Sequence, residues 1–305
     1  MERKTLATRC ILAAVDWNKE WQNTVLHAAA RARALDARLH VVHVVEPTSW
    51  LLRKVLDDAS LASHDQHNRE VAEQHLAAAR GLVEDIEVTT EIRSGKPTVQ
   101  ILEAITESEA GLLVVGMDNP KGATAIVLGG TTDRLLRLSP VPIYVAGPNV
   151  PQTIERILVP TGLGPSGAFA IRTAVEQLPA AGGTVSALHM VALPSVMRAY
   201  SGDVISLRRK ITAQAQSELD EHLQEIHVPE SVEVSGILRT NLESVPADHT
   251  IVSEAREQSA QLICFALGGK RFDHGLLIGS VSQKVIRALP CALLAVPDAW
   301  ISSRS

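Results

Sequence analysis

The chain has 305 residues, about two domains' worth at roughly 100–200 residues each. Hydrophobic residues make up 46% and charged residues 21%, enough apolar material for real cores, so disorder is excluded as the main state. A net charge of −5 and an aromatic content of 3% argue against a phosphate-backbone footprint and against base-stacking platforms, so no nucleic-acid partner is expected. The three cysteines, Cys10, Cys264 and Cys291, are far apart and sit in apolar runs. They read as reduced, buried thiols of a cytoplasmic protein. The apolar run Ile11–Val15 stops at Asp16, too short for a secretory segment, and no run reaches the roughly 20 residues of a membrane span.

In chain order, residues 10–15 form a continuous apolar run, the pattern of a parallel strand buried on both faces. Val25, Ala28, Ala29, Ala32 and Leu35 then recur at helical spacing, and residues 39–45 supply a second strand. A long stretch, roughly residues 50–82, is polar and alanine-rich with little glycine or proline, which predicts helix. Ile86 to Ile92 alternates as a third strand, and Gly95-Lys96-Pro97 punctuates it before the helix of Val99, Ile101, Leu102 and Ile105. Leu112–Val115 is a fourth strand, Thr132–Leu138 a helix and Val141–Ala146 a fifth strand. Strands alternating with helices imply right-handed crossovers and a parallel sheet covered on both faces.

The pattern then repeats. Ile11–Asp16 matches Ile157–Gly162, and Val42-His43-Val44 matches Leu188-His189-Met190, both at an offset of 146. Leu112–Gly116 matches Leu262–Ala266 and Leu128–Thr132 matches Ile278–Ser282, both at an offset of 150. The chain is a tandem duplication. Gly147-Pro148-Asn149-Val150-Pro151 has the composition of the joint, giving domains 1–148 and 152–305.

In such sheets ligands sit beyond the carboxyl ends of the strands, where the strand order reverses. After strand four of the first copy come Gly116-Met117-Asp118-Asn119 and, nine residues on, Gly129-Gly130-Thr131-Thr132. The second copy has Ala266-Leu267-Gly268-Gly269 and then Gly279-Ser280-Val281-Ser282. Both loops feed a helix whose start offers unpaired N–H groups and a positive dipole end to a phosphate. Thr131, Thr132, Ser280 and Ser282 either add hydroxyl donors or cap that helix.

These loops resemble the signature of the universal stress protein family, Gly-x2-Gly-x9-Gly-Ser/Thr, and the order of elements fits over essentially the whole chain. The resemblance implies two tandem doubly wound α/β domains, each a five-stranded parallel sheet flanked by helices, of Rossmann-like type. Many members bind ATP, with an acidic residue after strand one on the nucleoside hydroxyls and the glycine loop on the phosphates. Carried over, this points to Asp16, Val44, Gly116, Asn119, Gly129, Gly130, Thr131 and Thr132, and in the second copy to Gly269, Gly279, Ser280 and Ser282. ATP, with Mg²⁺ as its companion, is the expected cofactor. In the family the fifth strands commonly meet across a dimer axis, which implies an intramolecular pseudo-dimer, with a homodimer as a further option; a protein partner is not specified.

The departures from the signature divide the copies. Asn119 replaces the second glycine and Gly130 the Ser/Thr, while the second copy has Gly162 at the place of Asp16 and Ala266 at that of Gly116. The first half keeps the acidic anchor; the second keeps the better phosphate loop. The first is expected to hold the nucleotide more tightly. Asp16 has a structural alternative, as a cap for the following helix. His43 and His189 read as satisfied core histidines and His64 and His67 as surface residues, and no cluster has metal-ligand spacing. Ser166 lacks the strand-turn-helix frame of a nucleophile, and no Walker-type lysine follows the glycine loop, so no catalytic residue is assigned. Two functions result: a cytoplasmic stress regulator that binds a nucleotide as a signal with slow or no hydrolysis, and a scaffold whose sites have decayed.

Overall fold

A computed structural model describes residues 8–17, 20–48, 52–117, 129–192, 203–241, 245–267, 271–272, 275–276 and 279–302. The chain divides into two units between Gln152 and Thr153.

In the first unit the elements run β1 (Cys10–Val15), α1 (Trp21–Leu35), β2 (Arg38–Val45), α2 (Leu52–Val55), α3 (Asp58–Gly81), β3 (Val88–Ser94), α4 (Pro97–Glu107), β4 (Leu112–Val115), α5 (Gly130–Leu138) and β5 (Ile143–Val145). The five strands are parallel, in the order β3-β2-β1-β4-β5. Ile11, Leu12 and Ala13 of β1 and all four residues of β4 are buried, which is why both strands read as unbroken apolar runs. Helices α1 and α3 carry the chain outward from β1 to β3, and α4 brings it back to β4. The order therefore reverses between β1 and β4, leaving a crevice at their carboxyl ends.

The second unit repeats this plan: β6 (Arg156–Pro160), α6 (Pro165–Val175), β7 (Gly183–Ala192), α7 (Val204–Gln224), β8 (Val232–Asn241), α8 (Ala247–Glu257), β9 (Leu262–Leu267), β10 (Arg271–Phe272), β11 (Gly275–Leu276), α9 (Ser280–Ala288), β12 (Ala292–Pro297) and α10 (Asp298–Ser302). Its five parallel strands run β8-β7-β6-β9-β12, and β10 and β11 form a separate antiparallel pair. Small details recur too. Glu109 (φ 52°) and Ser259 (φ 49°) end α4 and α8 in the left-handed conformation, 150 residues apart. His43 Nδ1 lies 2.9 Å from Val15 O and His189 Nδ1 lies 3.0 Å from Thr161 O, so each histidine ties its second strand to the end of its first.

One expectation is refined and two need correction. The helix over 50–82 is two: α2 ends at Val55, and Asp57 starts α3 by accepting a hydrogen bond from Ser60 N at 2.8 Å. An aspartate three residues ahead of a free N–H favours this new start over continuation. The third strand starts at Val88 and ends at Ser94, two residues later than its alternation suggests. It is half-exposed along most of its length, so its apolar pattern marks its ends weakly. The hydroxyl residues do not cap α5 and α9: the N-caps are Gly129 and Gly279, and Thr131, Thr132, Ser280 and Ser282 lie inside the first turns. Extended glycine backbone at φ −58°, ψ 146° and φ −56°, ψ 146° delivers the same entry into both helices.

Candidate functional site

At the carboxyl ends of β1, β2 and β4 lies a cavity of about 190 Å³. Its lining includes Asp16 just past β1, Val44 and Glu46 at the end of β2, Gly116 just past β4, and Gly129, Gly130, Thr131 and Thr132 at the start of α5. Every first-copy candidate among the described residues is thus brought to one cavity. Asn119 lies outside the described residues.

The α5 end of the cavity is a donor surface. Asp133 N bonds Gly129 O at 3.0 Å, the first bond of the helix, so the N–H groups of Gly130, Thr131 and Thr132 have no partner within it. A Cβ on Gly130 would meet nothing within 4 Å, whereas one on Gly116 would come within 2.5 Å of Thr24 Oγ1. Gly130 therefore leaves space on the cavity side, and Gly116 is a glycine because Thr24 of α1 packs on it.

Asp16 is exposed, and among the described residues nothing donates a hydrogen bond to it. The N-cap of α1 is Glu20, so the capping alternative for Asp16 is not what the structure shows. The paired register of β1 and β2 ends at Val15 and His43, so Val44 lies past the paired end of β1, on the cavity lining. Val42, Pro97, Ile101, Val115 and Leu135 form the apolar part of the wall.

Sequence reasoning missed Glu46, His43 and Trp17. Glu46 places a second carboxylate on the lining, and no lysine or arginine is among the described lining residues. Its signal was available, as an acidic residue ending a buried strand. His43 is 9% exposed, buried as a core histidine should be, yet it also lines the cavity. Trp17 packs beside it, with ring centroids 4.7 Å apart. No group of three or more metal-ligating side chains occurs among the described residues.

The second copy is assembled differently. Gly162 lines a depression of about 270 Å³ with Thr161, Gly164, Ser166 and Ala266, and Gly279, Ser280 and Ser282 are not part of that lining. Gly279 and Ser280 are exposed and Ser282 is half-buried. The N–H groups of Ser280, Val281 and Ser282 precede the first helical bond, Gln283 N to Gly279 O at 3.0 Å, so α9 begins with the same donor surface as α5, with Gly162 at the place of Asp16. Gly269 lies outside the described residues.

No helix among the described residues is long and apolar enough to cross a membrane. The thiols are free, with Cys10 and Cys264 buried and Cys291 half-buried. Burial raises the thiol pKa of Cys10 and Cys264, and pushes that of Cys291 up to about 12. Unreactive thiols result.

Comparison with known proteins gives the same architecture. A universal stress protein of Mycobacterium tuberculosis is 33% identical over 132 residues, covering 40% of this chain and 43% of the relative, so the chain spans less than half the length of that relative in the matched stretch. A protein of unknown function from Pseudomonas aeruginosa superimposes with a TM-score of 0.64 over 98% of this chain and 96% of its own, at 18% identity. A universal stress protein from Archaeoglobus fulgidus gives a TM-score of 0.63 over 96% and 97%, at 17% identity. At these identities the two structures speak for the fold alone. The model of the universal stress protein family matches twice, over residues 8–147 and 153–297, and the chain belongs to that family as a tandem of two such domains.

Proposed function

We propose that the first repeat binds an adenine nucleotide, ATP or a relative of it, and that the chain serves as a nucleotide-responsive regulator in the cytoplasm. One observation carries this reading: Asp16, Val44, Gly116 and Gly129–Thr132, from four separate places in the sequence, line a single cavity. The chemistry is divided along it. The carboxylate of Asp16 suits ribose hydroxyls, the apolar wall from Val42 to Leu135 suits a base, and the unpaired N–H groups of α5 suit phosphate oxygens. With two carboxylates and no basic side chain among the described lining residues, nucleotide charge would be balanced by those N–H groups and by a companion Mg²⁺. These are binding groups, and hydrolysis is at most slow.

The second repeat favours the scaffold reading. It has Gly162 where the first has Asp16, and its helix start does not line the depression at Gly162.

Mass spectrometry of the denatured, freshly purified protein tests the proposal, together with ATP titration followed by melting. Co-purified adenine nucleotide, or a melt raised by ATP, is expected. Absence of both leaves the scaffold reading for the whole chain.

A further inference from the structure

His43 is held on two sides. Its Nδ1 is 2.9 Å from Val15 O; a carbonyl only accepts, so Nδ1 carries the hydrogen and Nε2 is the nitrogen that titrates. Its ring packs on Trp17 at 4.7 Å and 36°, and Trp17 stacks on His75 of α3 at 4.7 Å and 16°. Trp21 closes this column edge-on, 5.4 Å from Trp17 and 5.7 Å from His75. His75 is itself fixed, with Nδ1 2.8 Å from Val71 O. The imidazole of His43 therefore cannot swing out of the cavity wall.

This clamp belongs to one repeat. His189 keeps the bond to the first strand, but Leu163 and Gly167 stand at the places of Trp17 and Trp21. The strand-tying role of the histidine needs no aromatic column, and the column occurs in the repeat that also has Asp16. We propose that His43 is a specificity-determining residue of the first-repeat cavity, taking up a proton as an anionic ligand enters, so that anions bind more tightly as the pH falls towards 6.

The proposal rests on the cavity being a nucleotide site. Burial holds the imidazole of His43 below its ordinary value; the Val15 carbonyl and the Asp16 carboxylate oppose this, and His75 adds to it. Glu46 is the other charged group among the described residues of the cavity lining. From α4, β4 and α5 the cavity receives Pro97, Ile101, Val115 and Leu135, and α1 adds Thr24, none of which titrates. On β3 the registered neighbour is Ile92, while Glu91 and Arg93 alternate to the other face and pair with each other at 3.0 Å. A ligand anion entering beside the ring adds a countercharge to that of Asp16, against the burial that disfavours the imidazolium. The face of Trp17 also favours the cation once water is displaced. Each unit by which binding raises the pKa of His43 separates the high- and low-pH affinities by up to about tenfold.

The test is calorimetric titration of the full chain with ATP and with adenosine at about pH 6 and pH 8, in two buffers of different ionisation heat. Wild type is compared with His43→Gln. ATP's own protonation is common to both proteins and cancels. Wild type should take up protons with ATP and gain several-fold more affinity at low pH than the variant, and adenosine should show no such gain. Equal pH dependence in the two proteins would overturn proton uptake while leaving the site intact. Absence of ATP and adenosine binding at either pH would overturn the site and proton uptake together. Should His43→Gln fail to fold, imidazole NMR of the wild type replaces it: a His43 pKa that rises with ATP supports the proposal, and one that stays put overturns it.

Discussion

Gly130 and Gly116 line the same cavity for opposite reasons, and substitution by alanine separates them. A Cβ on Gly130 meets no atom within 4 Å, and alanine is the better helix former by up to about 1 kcal/mol. Gly130→Ala should leave the unliganded melt unchanged or slightly raised, and it should reduce the shift caused by ATP by crowding the phosphate end. Gly116→Ala puts its Cβ 2.5 Å from Thr24 Oγ1. Overpacking of that kind typically costs about 1–3 kcal/mol, so its unliganded melt should fall. Melting both variants with and without ATP checks the pair; an unliganded loss in Gly130→Ala would contradict the account of that wall. Both glycines were legible as residues of a loop signature. Their different reasons were not, because Thr24 is distant in sequence.

At the scale of elements, α1 is fastened to the end of β5 by a histidine with no exposure at all. His27 Nε2 lies 3.1 Å from Gly147 O and must donate to it, so Nδ1, 3.1 Å from Tyr144 Oη, accepts from the phenol. Asn23 donates to the same carbonyl at 2.8 Å. Burial lowers the pKa of His27 to about 4, the Gly147 bond opposing and Arg31 assisting. The folded chain therefore resists a proton that the unfolded chain accepts near pH 6.5. This contribution to stability is complete above about pH 6.5 and fades as the pH falls towards 4, with up to about 3 kcal/mol at stake. Urea unfolding from pH 7.5 to 4.5 should show that fall in wild type and a shallower one in His27→Gln. Parallel curves would mean that His27 is not the titrating group. The elements themselves were largely legible where burial is complete. Strands β1 and β4 could be placed from their apolar runs, whereas β3, half-exposed, was displaced by two residues and α3 hid a break at Asp57. Edges and caps depend on one or two hydrogen bonds, which hydropathy does not record.

Across the whole molecule, both halves have the same fold and one of them has an acidic residue past its first strand. Glycine N-caps with nearly equal angles stand before α5 and α9, yet only the first helix start shares its cavity with an acidic residue past strand one. ATP titration of the full chain by calorimetry should therefore give one tight site per chain, and Ser280→Ala should leave it unaltered; two equal sites would contradict the division. That division was visible in the exchange of Asp16 for Gly162. The column of Trp17, Trp21, His43 and His75 was not, since its members come from three elements and the turn after β1 and meet only on folding.

The most direct test of the central claim, that Asp16 anchors a nucleotide in the first-repeat cavity, is the melt of Asp16→Ala with and without ATP. Asp16 is exposed and accepts nothing from a described residue, so the unliganded melt should stay within about 0.5 kcal/mol of wild type. Saturation at a hundred times the dissociation constant stabilises wild type by about 2.7 kcal/mol. Loss of a charge-assisted hydrogen bond, about 1.5–3 kcal/mol, should remove most of that shift from the variant at the same ATP concentration. An undiminished ATP shift, or an unliganded melt that falls with the substitution, would contradict the account.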